Sequence, residues 1–221
     1  MTNSLALLGS IEWGISQLGL DSHNGLGSQL ERFLQGLIKW NKAYNLTAIR
    51  DPQQMVALHL MDSLAVAPYV FGAADQLAVT PVLDVGSGAG LPGIPLALCY
   101  PQTQFVLLDS NGKKTRFLQQ MKIELGLSNV SIVQARVEDY EGAFKQVICR
   151  AFASLANIAT TTQHLVAEGG SLLAMKGKLE DEKLTATEFQ VAAVHSLEVP
   201  GIEAERHLYE LHRHIHHQKD D

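Results

Sequence analysis

Apolar residues recur with a helical period along the first third of the chain. Leu30, Phe33, Leu34, Leu37, Ile38 and Trp40 follow the i, i+3, i+4, i+7, i+8 spacing, which draws one apolar stripe and predicts a helix over 28–44. A second helix is expected over 4–20. Asp51-Pro52 pairs an N-cap side chain with a proline at the first helical position, so a third helix starts there and runs through Met55, Val56 and Leu58. Ser63 to Phe71 is expected to add another. From Pro81 onward the pattern changes. Short apolar runs at 82–85, 104–109, 130–134, 146–149 and 170–175 alternate with helical stretches. Such connections force a mostly parallel sheet with helices on both faces. The stretches 189–199 and 206–216 read as strands with no helix between them, an antiparallel hairpin at the sheet edge. The expected fold class is α/β, a doubly wound Rossmann-like sheet behind an N-terminal helical extension. The extension is placed at 1–72 and the sheet domain at 73–221, with Gly72 to Thr80 as linker.

Chemistry concentrates where the first strand ends. Val82-Leu83-Asp84-Val85 runs into Gly86-Ser87-Gly88-Ala89-Gly90-Leu91-Pro92-Gly93. The glycines can take positive φ and let a ligand approach bare backbone. A helix follows from Ile94 to Leu98, so the turn is expected to present free N–H groups and a positive helix end to a cofactor. Two cofactor classes fit. Gly88 to Gly93 spells the GxGxxG dinucleotide fingerprint. Asp84-x-Gly86-x-Gly88-x-Gly90, however, looks like the glycine loop of S-adenosylmethionine (SAM) methyltransferases, whose strand-end acid orders the loop or meets the methionine end of SAM. Asp109 closes the second strand, where a carboxylate can accept both ribose hydroxyls of an adenosine; that geometry serves either cofactor. The bland alternative is a glycine turn that only reverses the chain.

Composition narrows the classes. No apolar run approaches the ~20 residues a membrane span needs, and the opening MTNSLALLGSIEWG has no basic region of a signal peptide. Cys99 and Cys149 are far apart and fit buried thiols in a reducing cytoplasm. A net charge of −6 argues against a nucleic-acid partner in sum, yet local patches decide binding. Lys39 and Lys42 lie near Arg50; Lys113, Lys114, Arg116 and Lys122 share one predicted helix; Arg150, Lys176 and Lys178 sit at predicted strand ends. All three groups fall where loops can converge on the cofactor edge of the sheet, although taken alone such clusters are more often solvated helix faces. His212, His214 and His216 alternate, with His217 adjacent, but lack partners at metal-ligand spacing, so an edge strand facing solvent is expected and no metal.

A family resemblance rests on more than the glycine loop. Trp40-Asn41-Lys42-Ala43-Tyr44-Asn45-Leu46-Thr47, His59, Asp62-Ser63-Leu64, the Leu91-Pro92-Gly93 end of the loop, Asp109-Ser110 with Lys113, Arg150-Ala151-Phe152-Ala153-Ser154-Leu155 and Glu205-Arg206-His207-Leu208 together resemble the RsmG (GidB) family. These are bacterial methyltransferases that modify N7 of a guanine in the decoding-region loop of 16S rRNA. Ala89 stands where proline is common. The resemblance implies a SAM-dependent methyltransferase fold. It also implies cofactor contacts at Gly86 and Leu91, at Val137 and Glu138 flanking the adenine, and at Arg150 over the methyl-transfer site as the catalytic residue. Asp84, Gly88 and Asp109 complete the expected cofactor set. Lys39, Lys42, Arg50, His59, Lys113 and Lys114 are the expected RNA-binding residues. The partner is then 16S rRNA or the small ribosomal subunit, the site cytoplasmic, and the protein a monomer without membrane or metal.

Guanine N7 offers a lone pair and carries no proton, so its methylation needs no general base, which suits a chain without a Ser-His-Asp or Cys-His arrangement. Arg150-Ala151-Phe152-Ala153 stands where amino-nitrogen methyltransferases carry an N/D-P-P-Y motif. Cys149 lacks the setting of a nucleophile and reads as a buried apolar residue. His59 can touch a phosphate, orient Asp62, or lie on a helix surface. Two further functions stay open: a nicotinamide-dependent oxidoreductase, which Asp84 before Gly86 argues against, and a non-catalytic RNA-binding factor.

Overall fold

The computed structural model describes residues 2–20, 25–70, 80–150, 153–179, 184 and 187–214. Helices α1 (Thr2–Gln17) and α2 (Leu26–Tyr44) open the chain. They are followed by α3 (Pro52–Met55), a π-helical turn (Val56–Met61), α4 (Asp62–Leu64) and α5 (Ala67–Val70). Strands β1 (Val82–Val85), β2 (Phe105–Asp109), β3 (Val130–Gln134), β4 (Phe144–Arg150) and β5 (Val166–Lys176) are then linked by α6 (Gly93–Cys99), α7 (Gly112–Leu125), a 3-10 turn (Val137–Asp139) and α8 (Leu155–Thr162). Strands β6 (Phe189–Ser196) and β7 (His207–Arg213) finish the sheet.

The seven strands run in the order β3-β2-β1-β4-β5-β7-β6. β1 to β5 pair in parallel, and β7 lies antiparallel between β5 and β6. The strand order reverses between β1 and β4, so their carboxyl ends open a crevice, the usual ligand position in such sheets. The doubly wound fold and its hairpin agree with the hydrophobic pattern. Two details do not. The last strand is interior and β6 is the edge. The helix expected over 63–71 breaks into α4 and α5, with Phe71 outside the described residues.

Alternation along the strands explains the two cores. Val82, Ile148 and Leu173 join the cluster beneath α1, α2, α6 and α7, whereas Leu83, Cys149 and Ala174 face α8. The stripe of α2 buries Leu30, Phe33, Leu34 and Leu37. It meets α7 through Phe33 and Trp40 against Phe117, at ring distances of 6.3 and 5.7 Å. One cluster thus runs from Leu7 through the sheet to Leu208, and the extension shares its core with the sheet. The boundary proposed at 72/73 begins outside the described residues.

Candidate functional site

The loop after β1 is built from the inside. Gly86 and Gly88 hold φ of 70° and 58°, which glycine tolerates without strain. A Cβ at Gly86 would meet nothing within 4 Å, so the missing side chain leaves the loop open toward a ligand. The N–H groups of Gly86 and Ser87 donate to the Leu108 carbonyl at 2.8 and 3.1 Å, and those of Gly90 and Leu91 donate to Ser87. Gly88 N–H donates to Asp109 Oδ2 at 2.9 Å, and Gly93 N–H to Asp84 Oδ2 at 3.0 Å. These six donors are engaged inside the protein, which corrects the expectation of a cradle of free N–H groups. Asp84 is fully buried, and burial pushes its carboxyl up to about 7, against the Gly93 N–H that favours the charged form. It is not among the residues that line the cavity. Its Oδ2 ties the start of α6 to β1 through the Gly93 N–H, while Oδ1 is buried without a hydrogen-bond partner. Its carboxylate sits at the start of α6, where a dinucleotide would place its pyrophosphate. A buried acid at that position argues against a pyrophosphate there.

Asp109 ends β2 with Oδ1 accepting from Asn111 N–H at 2.8 Å, and Lys114 Nζ stands 3.7 Å from its Oδ2. Each carboxylate oxygen keeps a further lone pair for a hydroxyl donor. Val137 and Glu138 form the 3-10 turn after β3; Val137 is half-buried and Glu138 exposed. Asp109, Val137 and Glu138 lie off the lining of the main cavity, on the β2–β3 side of the glycine loop.

That cavity, about 1060 Å³, opens between the carboxyl ends of the strands and the N-terminal extension. Its sheet side carries Gly86, Gly88, Leu91, Lys114, Arg150 and Lys176. Its other wall is the loop from Asn45 to Ile49 together with Leu58, His59 and Asp62. Asn41, buried at the end of α2, ties the loop down: its Oδ1 accepts from Thr47 N–H at 2.9 Å and its Nδ2 donates to Ile49 C=O at 3.2 Å. Asn45 takes the left-handed conformation at φ 51° and caps α2, and Arg50 donates to its Oδ1 at 2.7 Å.

His59 lies on the π-turn and is buried, not on a helix surface. Nδ1 contacts the Leu58 carbonyl at 3.0 Å and Nε2 contacts Thr47 Oγ1 at 2.9 Å. A carbonyl only accepts, so Nδ1 carries the hydrogen and Nε2 accepts from the threonine hydroxyl. Burial, followed by the Arg150 charge, lowers its pKa to about 4. Both ring nitrogens are thus engaged within the protein, and the neutral imidazole lines the cavity beside Arg150. Arg150 Nη1 donates to the Leu58 carbonyl at 3.1 Å and to Asp62 Oδ2 at 3.2 Å, while Arg206 Nε donates to Asp62 Oδ1 at 3.1 Å. Lys176 donates to the Ala153 carbonyl. His207, paired in register with Lys176, also lines the cavity; its Nδ1 is buried without a hydrogen-bond partner.

The structure therefore brings Gly86, Gly88, Leu91, Arg150, Lys114 and His59 to one cavity. Lys39, Lys42 and Lys113 are exposed on α2 and α7 and do not line it, nor does Arg50. Asp62, Thr47, Arg206 and His207 line it without having been assigned roles, although all four stand in the motifs quoted above. Cys149 is buried and its thiol pushed up to about 12, chiefly by burial, unlike a nucleophile. β7 ends at Arg213, His212 contacts Glu210 at 2.7 Å, and His216 and His217 lie outside the described residues. Among the described residues no helix is long and apolar enough to cross a membrane.

Comparison with known proteins points one way. Residues 27–209 match the GidB family model, described as rRNA small subunit methyltransferase G. The ribosomal RNA small subunit methyltransferase G of Methylococcus capsulatus is 50% identical over 204 residues, covering 91% of this chain and 96% of that protein. Its counterpart in Ectopseudomonas mendocina is 48% identical over 206 residues, covering 91% and 94%. Among solved structures, magnesium protoporphyrin IX methyltransferase from Synechocystis, with bound SAM, superposes at a TM-score of 0.60 and 15% identity over 82% of this chain and 97% of that one. TrmN from Thermus thermophilus superposes at 0.52 and 15% identity over 72% and 53%. At such identities these two speak for the fold.

Proposed function

The chain belongs to the family of rRNA small subunit methyltransferase G, and on that premise we propose that it transfers a methyl group from SAM to N7 of a guanine in the decoding-region loop of 16S rRNA. The single observation that carries the reading is Arg150 at the end of β4, lining one cavity with the glycine loop and tied to the wall built by the extension.

When bound, SAM supplies an electrophilic sulfonium methyl. The chain's residues do the placing. Gly86, Gly88 and Leu91 give the cofactor a close backbone bed, Asp109 accepts its ribose hydroxyls, and Val137 with Glu138 flanks the adenine. Arg150, with donors beyond those given to Asp62 and Leu58, holds the guanine or the cofactor carboxylate near the methyl group. Leu58, Leu91, Met175 and Leu197 line the cavity and exclude water. N7 would take that methyl while the electron pair of the sulfur–methyl bond stays on sulfur, so no residue of the chain need act as a base. No proton moves, so orientation and exclusion of water supply the rate. N7 lies in the deep, narrow groove of A-form RNA, so the guanine enters from an opened loop. Lys39, Lys42, Arg50, Lys113 and Lys114 then hold the flanking backbone. The protein works as a monomer in the cytoplasm, where Cys99 and Cys149 stay buried and outside any disulfide.

The test is methyl transfer from labelled SAM to unmodified small ribosomal subunits, with the modified base mapped and NAD binding measured in parallel. One N7-methylated guanine and no NAD binding is the expected result. Label on another atom, or none, sinks the proposal.

A further inference from the structure

Asp62 is the one carboxylate among the described residues lining the cavity, and two arginines share it. Arg150 reaches Oδ2 at 3.2 Å from the end of β4, and Arg206 reaches Oδ1 at 3.1 Å from the entry to β7. Asp62 is only 6% exposed, so neither pair is screened as a surface pair would be. The arginine side chains stay 25% and 21% exposed, buried at the carboxylate and open toward solvent. The π-turn before Asp62 is the local device, since one extra residue per turn shifts the side chains that follow; π-turns inside helices cluster at functional sites. It sets Leu58 C=O, His59 and Asp62 on the cavity side together.

We propose that Asp62 is a positioning residue for the methyl transfer. Its carboxylate fixes Arg150 over the glycine loop and fixes Arg206 at the cavity mouth, where Arg206 binds a backbone phosphate of the target nucleotide. This rests on the rRNA methyltransferase reading. Arg206 suits the task. Its Nε serves Asp62, and Nη1 donates to the Glu205 carbonyl at 2.8 Å, which uses two of the five N–H groups of a guanidinium. It also lines the groove that α1 forms with the β6–β7 connection, so it stands where the cavity meets the surface. Two guanidiniums against the single carboxylate of Asp62 leave this corner of the cavity positive, as an incoming phosphate requires. Without the carboxylate the two guanidiniums would repel each other and turn to solvent, because a partner removed from a buried pair leaves its charge uncompensated.

The experiment is a double-mutant cycle on the full-length protein with unmodified small ribosomal subunits: wild type, Asp62→Asn, Arg206→Gln and both. Asp62→Asn should raise KM for subunits about tenfold and lower kcat by a similar factor. In the Arg206→Gln background the same change should leave KM within about threefold while still lowering kcat, since Arg150 is still released. A carboxylate that only stabilises the fold would raise KM equally in both backgrounds, and that result overturns the proposal. Should Asp62→Asn not fold, the Arg150→Gln and Arg206→Gln cycle replaces it: effects on kcat/KM that depart from their product by about threefold or more support a shared carboxylate, and multiplicative effects overturn it. A wild type that methylates no subunit overturns the functional reading beneath; one that does, with multiplicative effects, overturns the role of Asp62 alone.

Discussion

His59 shows how burial sets the chemistry of a single side chain. Its pKa of about 4 in the fold lies below the ordinary 6.5, so the unfolded chain binds a proton first as the medium acidifies. Above pH 6.5 the two states bind alike and no stability is lost. As pH falls from 6.5 toward 4, the unfolded state gains protons that the folded ring refuses, and stability declines. Replacing His59 with asparagine removes this titration. Urea midpoints measured from pH 7.5 to 4.5 should fall more steeply for wild type than for His59→Asn. Parallel curves would mean the ring is protonated in the fold. Asp84 works in the opposite sense: raised to about 7 from 3.8, it costs stability as pH rises through that window, so each group must be read against its own variant.

At the scale of elements, the β1–α6 turn is held by contacts that tolerate no added atom at Gly93. A Cβ there would stand 2.2 Å from Leu107 Cδ2 and 2.6 Å from Asp84 Oδ2. Both neighbours are buried, and Asp84 is the acceptor that holds the Gly93 N–H itself. Gly93→Ala should therefore cost roughly 1–3 kcal/mol, the usual penalty of overpacking, and weaken SAM binding by lifting α6 from β1. Unfolding curves and calorimetry measure both. A variant as stable as wild type would show that the turn has slack this geometry denies. Helix α2 has the complementary role: its buried stripe seats it on α7, and Asn41 at its end sets the loop that walls the cavity.

Over the whole molecule, charge has to be read locally. The net charge is −6, yet Lys114, Arg150, Lys176 and Arg206 converge on one cavity, with Lys42 and Lys113 exposed on the helices beside it. If those exposed lysines grip RNA phosphates, each adds about −0.7 to the log–log slope of affinity against salt on single strands. Lys42→Ala with Lys113→Ala should make that slope shallower by about 1.4 and leave SAM affinity unchanged. Lys114 is the wrong choice for this variant, because it stands 3.7 Å from Asp109 and its loss would disturb the cofactor side. An unchanged slope would assign Lys42 and Lys113 to solvated helix faces.

What the chain determines by itself is periodic or local. The stripe of α2, the alternating strands, the glycines at Gly86 and Gly88 and the Asp51 cap follow from spacing and backbone preference, and they led to the doubly wound fold and its glycine loop. Asp84 and Asp109 were legible as strand-end acids because strand ends mark the ligand edge of such a sheet. Only the tertiary structure decided what each of them holds: Asp84 accepts from the Gly93 N–H, and Asp109 accepts from two backbone N–H groups. It also decided that β7 is interior, that His59 is enclosed and neutral, and that Asp62, Arg150 and Arg206 meet. Asp62 and Arg206 lie 144 positions apart in the chain, and no local pattern records a contact of that range. It forms because the extension shares its core with the sheet and so brings its π-turn to the carboxyl ends of the strands.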